Sequence, residues 1–341
     1  MNVLLPGAGG ASATGVPLRR RTPRRWLRRT LAGVAGLLAL LVVAALLVAY
    51  AWQPPQDRGY RSPYLAQAGS RYADTPVARF HYTRTGHGPP VVLLPGGTLW
   101  TYSYRAVIPQ LAKHFTVVAV DLPGQGYTTL KRHGFGYDLE AMSGALGSFL
   151  DAVGLPRASL VGHSWGGAVA LYFAERHPQR VSRLVLIDSP GLDDPSSWDF
   201  RPLQVPVVGE LIGKLMSRST FEATLRKGFA HPERLTRQEV DEYWAPLSRR
   251  QNRRAMWMLQ RNLHYSLTDR RLGEVRAPTL VLWGDQDRFD EPWQANELGR
   301  RIPRATVRVL PGCGHMAHED CPAQAIPQLD RFLEDNLGRS S

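Results

Sequence analysis

The chain has 341 residues, 43% of them hydrophobic and 21% charged, which is enough to bury a sizeable core and unlike the composition of a disordered chain. Its net charge of +13 is concentrated at one end: seven arginines (Arg19, Arg20, Arg21, Arg24, Arg25, Arg28 and Arg29) precede residue 30, and the first acidic residue is Asp57. The remainder carries no basic stripe interleaved with aromatics, which argues against a nucleic-acid partner.

Residues 1–29 read as a disordered basic tail. Residues 31–48 are an uninterrupted run of Leu, Ala, Val and Gly, long enough to cross a bilayer as a helix. Trp26 on one side and Tyr50 and Trp52 on the other suit the two interfaces, and the arginines mark the cytoplasmic end. A single-pass anchor over 30–52 is therefore expected, with the rest of the chain on the non-cytoplasmic side. The competing reading is a cleaved export signal, because Ala49-Tyr50-Ala51 has the form of a cleavage site and Arg28-Arg29 that of a twin-arginine pair. Residues 53–72 read as a linker.

From residue 73 short apolar runs alternate with amphipathic stretches, the pattern of parallel strands joined by helices. Strands are expected over 77–85, 90–94, 115–120, the run from 158 into the Gly162 turn, 184–188, 279–283 and 306–310, and helices over 104–113, 137–153, 168–174, 293–301 and 325–337. The alternation stops over 191–272, where helical stretches near 211–217, 220–229, 237–247 and 253–267 read as an inserted lid. Its apolar residues (Val207, Leu211, Leu215, Trp244, Met256, Trp257, Met258 and Leu259) exceed what one helix face needs, so most form the lid's own core and some line a pocket. Arg249, Arg250, Arg253 and Arg254 read as a solvated surface. The domains expected are thus two core segments, 73–190 and 273–341, around a helical cap at 191–272.

The chemistry centres on Gly162-His163-Ser164-Trp165-Gly166-Gly167, which follows an apolar strand and opens a helix. A strand, a sharp turn and a helix in that order form a nucleophile elbow, exposing Ser164. A serine hydroxyl needs a base, and the base an orienting carboxylate, both from loops at the carboxyl ends of later strands. His315 follows the last strand, with His318 expected in a turn or facing solvent. Asp287 follows the preceding one, with Asp285 and Asp290 as rivals and Asp188 as an outside candidate. His163, adjacent in the elbow, points away and packs or hydrogen-bonds.

Pro95-Gly96-Gly97, Asp121-Leu122-Pro123-Gly124-Gln125-Gly126, the elbow, Gly284-Asp285-Gln286-Asp287 and Gly314-His315, in that order, make the chain resemble the α/β-hydrolase family across residues 73–337. The insertion resembles the cap of its epoxide-hydrolase-like and carbon–carbon hydrolase branch. The resemblance implies an α/β fold with a mostly parallel, doubly wound sheet, a triad of Ser164, Asp287 and His315, and an oxyanion hole from the backbone N–H groups of Gly97 and Trp165. Pro95 departs from the family's usual His-Gly, which puts the bracing of that loop in question. Epoxide hydrolases and haloalkane dehalogenases of this branch carry aspartate at the elbow, so Ser164 implies an acyl-enzyme.

Trp165, Leu99 and Trp257 are candidate pocket residues. Cys313 and Cys321 bracket the histidine loop and either pair, in an oxidising compartment, or remain separate thiols. No cofactor and no metal are expected. The function implied is hydrolysis of an ester or related acyl bond in a small hydrophobic substrate. The alternatives are carbon–carbon hydrolysis of a diketone-type substrate, a cofactor-free haloperoxidase-like or aminopeptidase activity, and a ligand-binding receptor with vestigial catalysis.

Overall fold

A computed structural model describes residues 10, 23–57, 59–131, 134–194, 200–262 and 264–335. The chain divides into two units, 1–47 and 48–341. The first is essentially one helix, α1 (Pro23–Leu46), built from the alanine- and leucine-rich run that favours helix. It takes in Trp26, Arg28 and Arg29, so the expected disordered tail is helical from residue 23; 1–9 and 11–22 lie outside the described residues. The stretch Arg25–Ala51 is long and apolar enough to cross a membrane, a test that an export signal also passes.

The second unit is built on a sheet of nine strands: β1 (Arg71–Asp74), β2 (Ala78–Thr85), β3 (Pro90–Leu94), β4 (Thr116–Val120), β5 (Thr129–Leu130), β6 (Ala158–His163), β7 (Val181–Ile187), β8 (Thr279–Gly284) and β9 (Ala305–Leu310). Their spatial order is β1-β2-β4-β3-β6-β7-β8-β9, with β5 beside β2. The strands from β4 through β3 to β9 run parallel, and β1, β2 and β5 pair antiparallel at one edge. The expected linker over 53–72 is a correction: it holds α2 (Pro63–Gln67) and the start of β1. Ser62 caps α2 and donates to Glu242 of the cap at 2.5 Å, so this segment is pinned to the body by a buried carboxylate.

The continuous apolar runs of the parallel strands supply both faces of the sheet, as burial on two sides requires. Val92, Leu94, Val118 and Val120 point into one core, and Val91, Leu93, Val117 and Ala119 into the other. The helix expected over 104–113 shortens to α3 (Ile108–Leu111) after a 3-10 turn, because Pro109 has no N–H to continue a longer ladder. The elements α4 (Leu139–Ala152) and α5 (Trp165–Arg176) cover the first core.

Between β7 and β8 come α6 (Arg201–Gln204), α7 (Val208–Leu215), α8 (Arg218–Lys227), α9 (Arg237–Leu247), α10 (Arg250–Asn262) and α11 (Ser266–Asp269). Their apolar residues form a third core with Leu99, Trp100 and Tyr102. The solvated arginine cluster holds at Arg250 and Arg254, which are exposed, and is corrected at Arg253. Arg253 is buried, donates to the carbonyls of Gly213, Lys214 and Met216, and lies over the Trp244 ring. The chain finishes with α12 (Trp293–Arg301), α13 (Ala317–Asp320) and α14 (Pro322–Glu334).

Candidate active site

Between β6 and α5 the backbone turns within one residue. Ser164 has φ 49° and ψ −126°, a conformation that costs of the order of 1–3 kcal/mol for a side-chain-bearing residue. Two glycines make the turn sterically allowed. A Cβ on Gly162 would lie 2.5 Å from Gly167 Cα, and one on Gly166 would lie 2.4 Å from the Leu94 carbonyl. The turn delivers Ser164 to the carboxyl edge of the parallel strands, where the loops after β8 and β9 meet it.

His315, on the loop after β9, places Nε2 at 2.9 Å from Ser164 Oγ. Its Nδ1–H donates to Asp287 Oδ2 at 2.8 Å. Asp287 is held in turn by the N–H groups of Phe289 and Asp290, which donate to Oδ1 at 2.8 and 3.1 Å. The three residues are thus brought together. Of the rival acids, Asp285 turns away to accept from the Gly312 N–H. Asp188 accepts from the Gly284 and Ala317 N–H groups, tying the β8 loop to α13. Asp290 stands 3.9 Å from His315 Nδ1 as a second negative neighbour.

These carboxylates set the site's electrostatics. Burial disfavours the His315 cation, but the charge and hydrogen bond of Asp287, with Asp290 and Asp188 behind, outweigh it and raise the imidazole to about 9. Burial, opposed by His315 and reinforced by Asp287, raises Asp290 to about 7. Asp188 is likewise pushed well up by burial and by Asp287. Asp287, Asp290 and His315 also offer ligand-type atoms within 4.8 Å of one another. The proton on His315 Nδ1 is committed to Asp287, so the set is read as a hydrogen-bonded pair with a neighbouring acid.

Gly97 and Trp165 both border the cavity beside Ser164, and a Cβ on Gly97 would lie 3.7 Å from that of Trp165. A brace for this loop, which the sequence reading missed, comes from Gln125. Its Nε2 donates to the carbonyls of Gly96 (2.6 Å) and Pro95 (3.3 Å), while its Oε1 accepts from the Leu122 N–H. The Gln125 amide thus takes up the bracing that Pro95 had put in question. Asp121, in the same motif, accepts from Thr101, Tyr127 and His81 and anchors the loops on either side.

The cavity over Ser164 measures about 760 Å³. Leu99 and Trp165 line it, together with Leu192, Phe221, Met256 and Phe289. Trp257 does not: its ring packs against Gly213 and its Cβ against Gly209 of α7, where a glycine at each position lets the helix approach. His318 is corrected as well. It is fully buried, its ring in tilted contact with those of Tyr104 and His163, and burial with Arg105 and His315 nearby lowers it to about 3. Cys313 and Cys321 are joined in a disulfide, Cα atoms 5.9 Å apart, across the loop that carries His315.

A family profile described as the alpha/beta hydrolase fold matches residues 89–322. The chain is 31% identical over 268 residues to a 2-hydroxy-6-oxo-2,4-heptadienoate hydrolase of Pseudomonas putida, covering 73% of this chain and 90% of that protein. It is 28% identical over 287 residues to haloalkane dehalogenase 2 of Mycobacterium tuberculosis, covering 79% and 97%. Among solved structures, one titled as a bacterial membrane phospholipase A superposes with a TM-score of 0.68 at 25% identity, covering 92% of this chain and 100% of the other. With a parallel sheet whose carboxyl edge gathers the elbow and the two loops, and with the profile spanning both core segments and the cap, the chain belongs to the α/β-hydrolase fold family and is a hydrolase.

Proposed function

We propose that the chain is a serine hydrolase that cleaves an ester of a hydrophobic acyl group through an acyl-enzyme at Ser164. The observation that carries the reading is the continuous relay from Ser164 Oγ through the His315 ring to Asp287, at 2.9 and 2.8 Å. Neutral His315 accepts the Ser164 proton at Nε2 as Oγ attacks the carbonyl, and Asp287 holds the ring and stabilises the imidazolium. The N–H groups of Gly97 and Trp165 receive the oxyanion, a contribution of roughly 10²–10³ in rate per donor. His315 then protonates the leaving alcohol. Water, deprotonated by His315, releases the acid and restores Ser164.

The substrate class rests on the cavity lining. Lys227 and Arg288 at the cavity are exposed and Arg201 is half-buried, while Leu99, Leu192, Leu203, Phe221, Met256 and Phe289 give the lining an aliphatic and aromatic part. A neutral, apolar acyl chain fits that environment. Carbon–carbon hydrolysis is the second reading, favoured by the 31% identity to a hydrolase of a dienoate. The likeness to a haloalkane dehalogenase does not carry over to dehalogenation, since serine stands at the elbow here.

Fluorophosphonate labelling of the chain, compared with Ser164→Ala, tests the nucleophile: labelling that survives the substitution would sink it. Turnover of p-nitrophenyl esters of graded length, set against a 2-hydroxy-6-oxo-dienoate, separates the two readings; faster cleavage of the dienoate would favour the second. The N-terminal stretch is proposed as a single-pass anchor with its arginines in the cytoplasm. The likeness to a structure titled a membrane phospholipase A, which covers 92% of this chain, agrees with that reading. A C-terminal reporter active only in the cytoplasm would overturn that orientation.

A further inference from the structure

The helix α7 is inside out. Its charged residues, Glu210 and Lys214, are buried, while Val208 is 40% and Leu215 62% exposed. Val205, in the turn before it, is 49% exposed. The buried charges are paired inward. Glu210 takes both terminal nitrogens of Arg261 at 2.9 and 3.0 Å, and Lys214 Nζ donates to the carbonyls of Trp52 (2.7 Å) and Val48 (3.4 Å). Gly209 and Gly213 complete the inner face by packing on Trp257. A helix that shows its apolar side outward and its charges inward reverses the pattern of a helix facing water.

The Lys214 bonds identify what the outer face meets. They hold the backbone at Val48 and Trp52, in the same unit as α7, beside the exposed rings of Tyr50 (58%) and Trp52 (41%). Exposed aromatic rings favour the head-group level of a bilayer, and Tyr50 and Trp52 belong to the same unit as α7. On its other side, Ile212 of α7 and the adjoining Met216 line the cavity over Ser164 with Leu203 of α6. One thin layer of the cap therefore separates the exposed apolar face from the site.

We propose that the face formed by Val205, Val208, Leu215, Tyr50 and Trp52 is seated in the head-group region of a lipid bilayer, and that the acyl substrate passes from that layer into the cavity over Ser164. The seating rests on the reading of the N-terminal stretch as an anchor, and the passage of substrate on the hydrolase reading above. The remaining occupant for such a face, a second copy of this chain, is an outcome of the test.

The test uses the full chain in vesicles of phosphatidylcholine and phosphatidylglycerol. An NBD fluorophore is attached through Val208→Cys or Leu215→Cys, with Glu140→Cys on exposed α4 as control, and quenched by lipids carrying a nitroxide near the head group. Quenching at 208 and 215 at least threefold that at 140 is expected, in the native chain and in Ser164→Ala alike. Equal quenching at all three positions overturns the seating. So does self-quenching at 208 and 215 that grows with protein density while lipid quenching is absent, which would assign the face to a second copy.

For the passage, Val208→Glu with Leu215→Glu is expected to slow hydrolysis of a long-chain ester in the vesicles about tenfold, with a soluble butyrate ester within twofold of native. Equal rates on the vesicle ester would overturn the route. Absence of turnover on both esters in the native chain would instead count against the hydrolase reading and leave the quenching result standing.

Discussion

The ring of His163, one residue before Ser164, donates from Nε2 to the backbone carbonyl of His315 at 2.8 Å. A carbonyl only accepts, so Nε2 carries the proton. Burial, with His318 and His315 nearby, holds His163 neutral by lowering it far below the usual range. The elbow thereby grips the loop of the base as well as presenting the serine.

Replacing His163 with leucine keeps the volume and removes the donor, leaving a buried carbonyl unpaired at a cost of about 1–3 kcal/mol. We expect kcat on a soluble ester to fall about tenfold with fluorophosphonate labelling slowed in proportion, since 1.4 kcal/mol of lost positioning is tenfold in rate. Unchanged kcat would mean that the loop is held without this bond.

The pH dependence follows from His315. Only the neutral ring accepts the serine proton, so kcat/KM rises with pH through the raised value of His315, about 9, placing the acid limb above that of an ordinary histidine. Asp290→Asn removes one of the charges that raise it, and the limb is expected to move to lower pH by about one unit. A pH profile with the same midpoint in both proteins would show that Asp290 does not reach the ring.

Gln125→Glu keeps the acceptor for the Leu122 N–H and loses the donor to Gly96, so it isolates the brace on the loop of Gly97. A fall in kcat of about ten- to a hundredfold with KM little moved is expected, because a misplaced oxyanion donor acts on the transition state. Steady-state kinetics decide it; a loss confined to KM would point to substrate contact instead.

Cys313 and Cys321 close a loop with a sequence separation of 8. Loop-closure entropy gives such a bridge about 2–3 kcal/mol. Reducing the native chain with dithiothreitol is expected to lower its unfolding midpoint, whereas Cys313→Ala with Cys321→Ala starts lower and does not respond. A reductant-sensitive midpoint in the double variant would assign the effect elsewhere.

Much of the site could be read along the chain because each participant lies at the end of an apolar strand: Ser164 after β6, Asp287 after β8 and His315 after β9. Periodicity locates such ends without any knowledge of pairing. Gln125, His318 and Trp257 were missed or misplaced for the opposite reason. A glutamine in a turn-rich segment, a histidine three residues past another and a tryptophan in an amphipathic helix have roles set by partners 29, 155 and 44 or more positions away, as with Gly96, His163 and Gly213. The strand β1 was overlooked because its burial pattern leaves only Ala73 inside, too little to register as a strand.

By itself the sequence determined the order of strands and helices, the elbow, the inserted cap and an apolar stretch long enough to span a bilayer, since all of these are local patterns of side-chain type. Only the tertiary structure decided which of four aspartates meets His315, that a glutamine braces the loop of Gly97, and that α7 hides Glu210 and Lys214 and shows Leu215. Those outcomes depend on which way a side chain points once strands far apart in sequence are laid side by side, and burial of a charge is settled by the partner waiting for it.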